Sequence, residues 1–153
     1  MFDVSDKYIE ASHAATRETG LRGKLILTNG SVMSFTSKDL LQGSTSYSNR
    51  CLSNETFNIG ACYIGEFKTT LKTRLNRYAI YGGTISVEFV LKVDSGEWEV
   101  IPIGEFTIKS AVRVGGYVQI DSFDNMCLLD KNVSQGTSGT PAELLSWMCQ
   151  QCG

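Results

Sequence analysis

Histidine is nearly absent: there is one, His13, in 153 residues. A metal site of several imidazoles is thereby excluded, and a Ser/His/Asp triad would have to recruit this single residue. The plainer reading of His13 is a solvated residue on a short helix. An excess of positive charge is lacking as well. The formal net charge is -2, and the Lys and Arg residues are scattered rather than blocked, so nothing draws the chain toward nucleic acid or anionic lipid. No apolar run approaches the roughly 20 residues of a membrane span, and MFDVSDKYIEASHAATRE has charges where a signal peptide needs an apolar stretch. The expectation is a chain folded without Sec-type export. Phosphate loops are missing too: YGGT and VGGY lack a following Lys-Ser/Thr and read as turns between strands.

What is present is enough for one real core and part of a second unit, with 42% hydrophobic and 20% charged residues. From Ser5 to about Arg17 the spacing predicts a short helix, with Ser5 as cap, Asp6 at the positive end, and Tyr8, Ile9, Ala11, Ala14 and Ala15 as a thin apolar face. After Gly20 the period becomes two. KLILT, Asn29-Gly30 and SVMSF predict a hairpin over 24–35 with a type I′ turn. The Ser/Thr/Asn/Gly-rich run that follows, TSKDLLQGSTSYSNRCLSNET, reads as loop and short extended pieces.

Strand signals return at Phe57. FNIGACYIGEF and FKTTLKT alternate, and TISVEFVLKV places Ile85, Val87, Phe89, Leu91 and Val93 on one face. A turn at 94–97 leads into WEVIPIGEFTIKSAVRV, where Trp98, Val100, Phe106 and Ile108 are expected to continue the inward set, and Gly115-Gly116 reverses the chain into YVQIDSF. Pro102 lacks a donor and marks an edge, a bulge or a kink between two short strands. DNMCLLDKNV is helical or irregular, and SQGTSGT is a linker. In the last segment Thr140 caps and Pro141 opens a helix with Leu144, Leu145, Met148 and Trp147 along it. The expected class is mainly β: a small antiparallel barrel-like domain with a short N-terminal helix and a C-terminal helix.

Candidate chemistry is sparse. Asp121, Asp124 and Asp130 are close in sequence but lack the spacing of a calcium loop, which favours capping and turn roles. Cys149-Gln150-Gln151-Cys152 is half a zinc motif, and completing it would need residues beyond Gly153, the remote Cys51, Cys62 and Cys127, or His13. A redox dithiol belongs at a helix start, whereas this pair follows more than two turns of predicted helix. Structural or incidental cysteines are the favoured reading, beside zinc and redox alternatives. No catalytic, cofactor-binding or metal-binding residue is assigned, and no enzyme activity is expected.

The run RYAIYGGTISVEFVLKVDSGEWEVIPIGEFTIKSAVRVGGYVQIDSFDNMCLLDK resembles the N-terminal region of tail hub proteins of phages and prophages, also called tail-associated lysins or prophage tail endopeptidases. The residues that carry the resemblance are Arg77, Tyr78, Tyr81 and Gly82; Gly96 and Trp98; Ile101, Pro102, Gly104 and Phe106; and Phe123, Asp124, Met126, Leu129, Asp130 and Lys131. Phe123 stands where the family more often has Tyr. NGSVMSFTSKDL upstream and SGTPAELLSWMCQQCG downstream look like the same family.

The resemblance implies a structural part of the virion tail, assembled in the bacterial cytoplasm, that joins the tail tube and distal tail protein to the tip, with a homotrimer for the full-length chain and a cell-wall hydrolase sometimes following. It also implies a division into a hub domain at 1–131 and, at 132–153, a linker with the first helix of a second, truncated domain. No cofactor, nucleic acid or membrane span is implied. The competing class is a carbohydrate-binding β-sandwich using Tyr47, Tyr63, Tyr78, Tyr81, Trp98 and Tyr117, although most rings in such a domain pack in the core or in cross-strand pairs.

Overall fold

The computed structural model describes residues 3–49, 64–128 and 138–152. Helix α1 spans Asp6–His13, with Ser5 as its cap and the Ser5 hydroxyl accepting from the Tyr8 N–H at 3.1 Å. It stops short of the expected Arg17. Ala14 is already extended, the Arg17 guanidinium donates to the Ser12 carbonyl at 2.9 Å, and Glu18 accepts the Lys92 N–H at 3.0 Å. Pairing of the following strand with its neighbour outweighs the weak helix preference of Ala14-Ala15-Thr16.

The strands are β1 (Thr19–Ile26), β2 (Val32–Thr36), β3 (Ser46–Ser48), β4 (Glu66–Lys72), β5 (Thr84–Asp94), β6 (Glu97–Val114) and β7 (Tyr117–Phe123). They form one antiparallel sheet in the order β2-β1-β5-β6-β7-β4-β3. The predicted first hairpin is present, but its turn differs. Leu27 N–H donates to Ser31 at 2.8 Å and Gly30 N–H to Leu27 at 2.9 Å, so the loop has three residues, with Gly30 left-handed at φ 81. Asn29 accepts from the Ser31 N–H instead of sitting at the centre of a type I′ turn.

The sheet is barrel-like but open. Its inner face rolls over a core of Leu25, Phe35, Phe67, Leu71, Ile85, Val87, Phe106, Ile108, Val118 and Ile120. The roll brings its two ends close. Leu40, just after β2, bridges to Leu71 of β4, the Leu41 N–H donates to Thr70 at 2.8 Å, and the Thr73 hydroxyl lies 3.9 Å from the Met33 sulfur. Side chains also meet across the interior: the Phe106 ring stacks on Phe67 at 5.5 Å and meets Tyr47 of β3 edge-on at 5.9 Å.

Two inward assignments, Trp98 and Val100, are corrected. β6 is a single 18-residue strand, and its register against β5 shifts between Val87 and Glu88, leaving Ile103 as an extra residue beside Pro102. Phe106 pairs with Ile85 on the inner face, whereas Trp98 pairs with Lys92 and Val100 with Val90 on the outer one. Trp98 is 42% exposed. A single inserted residue exchanges the faces of everything beyond it.

A short helix, α2 (Arg77–Ile80), fills one end of the roll. Asn76 caps it by accepting from the Tyr78 N–H at 3.0 Å, and Ile80 is fully buried. Gly82, at φ 80, donates to the Ile108 carbonyl at 3.0 Å, and Ile108 returns a bond to Gly83 at 2.9 Å. A Cβ on Gly83 would lie 2.4 Å from the Ile26 carbonyl, so the close approach requires glycine. Helix α3 (Pro141–Cys152) starts as expected, with Thr140 and Glu143 forming a reciprocal cap. None of its described side chains is buried, and Leu145 is 59% exposed. The alternating stretch at 57–63, Cys51, Cys62, Tyr63, the motif residues Leu129, Asp130 and Lys131, and most of the linker lie outside the described residues.

Removing the plug is therefore expected to cost far more than removing the rings around it. Ile80→Ala should lower unfolding free energy by about 2–5 kcal/mol in a denaturant titration, and Tyr78→Ala by less than about 1 kcal/mol.

Candidate interaction surface

Among the described residues, those singled out for chemistry are dispersed. His13 is exposed at the last turn of α1. Asp124 acts as a clamp: its carboxylate accepts from the Gly65 N–H at 2.9 Å and the Met126 N–H at 3.0 Å, while its own N–H donates to Gly65 at 2.9 Å. A side chain on Gly65 would collide with that carboxylate, 2.6 Å away. The clamp ties the end of β7 to the start of β4, a structural use of a residue that also invited a metal or acid/base reading. Asp121 stays in the β7 ladder opposite Lys68 and Ser110.

Cys149 is exposed on α3, and Cys127 is half-buried in the 3-10 turn at Asn125–Leu128. Cys149 and Cys152 lie on the same helix, past its second turn. Among the described residues no three His, Cys, Asp or Glu side chains gather closely enough to hold a metal.

The motif residues acquire individual physical roles. Gly96, at φ 88, makes the β5–β6 turn. Pro102 sits at the bulge, on a part of β6 that pairs with β5 but lies before the β7 ladder begins at Thr107. Gly104 leaves room on the inner face for the Phe106 ring, 3.2 Å from where its Cβ would be. Arg113, not among the residues named as carrying the resemblance, donates to the Thr73 carbonyl at 2.8 Å and also to the Leu75 carbonyl, holding the segment that leads into α2.

Among the described residues the most exposed rings lie on α2 and at its C-cap, an element the sequence periodicity did not reveal. Tyr78 is 71% and Tyr81 57% exposed, and with Arg77 and Ala111 they line a shallow depression. The Arg77 guanidinium carbon lies 4.8 Å from the Tyr78 ring centroid, and its Nη2 donates to the Tyr78 hydroxyl at 2.8 Å. Buried Ile80 and the Asn76 cap fix the position of this surface. The Arg-Tyr-x-x-Tyr-Gly spacing was the available signal, because it sets Ala79 and the buried Ile80 between exposed rings in front of a left-handed glycine. The other exposed rings, Tyr47 on β3 and Trp98 on the outer face of β6, belong to other strands.

No family model and no curated protein matches the chain. Among solved structures, a chain described as "Virion of native gene transfer agent (GTA) particle" shares the fold, with a TM-score of 0.53 and 15% sequence identity over 88% of this chain and 49% of that one. The present chain thus spans about half the length of its structural relative.

The sequence offers one close pair of thiols, Cys149 and Cys152, and a single imidazole, which leads to a metal prediction. Elemental analysis of the purified protein should find well below one zinc per chain. About one zinc per chain, lost on Cys149→Ser, would contradict this reading.

Proposed function

We propose that the chain is a structural part of a virion and, more narrowly, the N-terminal domain of a phage or prophage tail hub that joins the tail tube or distal tail protein to the tip. The observation that carries the proposal is the fold likeness to a gene transfer agent virion chain over 88% of the sequence. Motif residues that resemble tail hubs support it. Arg77, Tyr81, Gly82, Pro102, Gly104 and Asp124 build or flank the plug, the bulge and the β4–β7 clamp of this fold.

Residues 1–131 are assigned to the hub domain, and 132–153 to a linker and the first helix of a following domain. The partners are other tail proteins, with a homotrimer for the longer chain and the virion tail as location. Function on this reading is carried by rigid outer surfaces rather than a pocket. Catalysis is assigned no place, since dispersed carboxylates and a helix-borne His13 provide no nucleophile with an oriented base.

The direct test is immunogold labelling of particles with an antibody raised against residues 1–153, expected to mark one end of the tail. Intact particles that carry none of the protein would refute the proposal. A specific hit on a glycan array, with no particle labelling, would favour the carbohydrate-binding alternative.

Residues 1–153 alone are expected to run as a 16.8 kDa monomer by light scattering at micromolar concentration, because a ring contact needs both of its patches and a standard interface buries about 1,200–2,000 Å². A tight trimer would show that this domain closes the ring unaided.

A further inference from the structure

The attachment of α1 is of a different kind from the rest of the fold. The helix lies against β5, yet none of its residues is buried. Its fastening is polar. Glu99 of β6 accepts from the Ser5 N–H at 2.9 Å and also from the Ser5 hydroxyl, the same oxygen that caps the helix. Lys7 reaches Glu97 at 3.1 Å and Asp94 at 3.9 Å. Two hydrogen bonds to one carboxylate therefore hold the cap of the helix and its site on the hairpin together.

A buried leucine lies on this part of the hairpin. Leu91 pairs with Glu99 and is 2% exposed, but it stands outside the apolar cluster that fills the roll. Phe89, Val93 and Ile101, half-buried, surround it on the two strands.

We propose that α1 is a detachable strap, clamped by Glu99, whose opening uncovers Leu91 and the apolar end of the β5–β6 hairpin while the rolled sheet stays folded. The inference goes beyond the virion reading and holds whatever the chain assembles with. A helix with no buried side chain contributes little to the global core and belongs to the low-stability end of the molecule, whereas the sheet opens only with global unfolding.

Acid acts in the same direction. The Ser5 hydroxyl and then the Ser5 N–H hold the Glu99 carboxyl below its ordinary range. A lowered folded value means that the clamp is complete above the ordinary carboxylate pKa and is lost as pH falls through the lowered one. The neighbouring charges are Asp6 and Lys7 on α1, Asp94, Glu97 and Lys92 on the hairpin, and Glu18, which pairs with Lys92 at 2.7 Å. Lys7 is raised, chiefly by its hydrogen bond to Glu97, so it stays charged through this window.

Native-state hydrogen exchange on the intact chain tests the strap. At neutral pH the amides of 10–14 should exchange through an opening that leaves Leu71 and Ile120 protected. Glu99→Gln should raise the α1 opening about tenfold without changing those sheet amides. Deletion of residues 1–17 should leave the sheet folded, with new binding of an apolar dye. Exchange of α1 only on global unfolding, an unchanged α1 in Glu99→Gln, or an unfolded deletion variant would each overturn the proposal.

Discussion

The structure depends on one constraint: a single sheet with an apolar inner face must keep that face out of water, at roughly 25 cal/mol for each Å² left exposed. In the described residues the sheet does so by rolling on itself. The Leu40–Leu71 bridge and the Met33–Thr73 contact draw its ends together, and Ile80 fills one end. The other features follow. Gly83 is needed because the backbone just after the plug passes against the Ile26 carbonyl, and Arg113 is used to hold the chain entering the plug. Asp124 fastens the start of β4 to the end of β7, 59 residues apart in sequence.

The bulge beside Pro102 settles how the surface is divided. It keeps Phe106 inward for stacking on Phe67 and turns Trp98 and Val100 to the outside. Beyond the barrel the β5–β6 hairpin continues with an apolar inner side of its own, and α1 lies there. The molecule therefore presents two constructions of unequal strength, a packed roll and a helix tied on by carboxylates. Loss of packed side chains and loss of a surface clamp act on different parts of the stability distribution.

The strand framework was legible in the sequence because its period of two is strong in TISVEFVLKV and YVQIDSF and its turns carry glycine. The reciprocal cap of α3 was legible too, since Thr140 and Glu143 stand at the required spacing. Three things were not. The face of Trp98 depended on one extra residue, which periodicity cannot register once Pro102 breaks the pattern. The end of α1 depended on strand pairing at Glu18. The plug was hidden because a four-residue helix has no period to detect and its single apolar anchor, Ile80, gains meaning only from the roll around it. As for the surface, the sequence offered the rings but not which of them lie together: Tyr78 on α2 and Tyr81 at its C-cap do, Tyr47 and Trp98 do not.

The proposed function joins the fold's likeness to a gene transfer agent virion chain with the hub-like motif residues, and on that proposal a rigid rolled sheet serves as a building block through its outside. The most direct measurement is a cryo-electron microscopy map of the tail tip of particles that carry this protein. The account predicts density into which the seven-stranded sheet and its plug fit at the junction between tube and tip, repeated around the tail axis. Well-resolved tip density whose strands cannot accommodate this sheet order would contradict it.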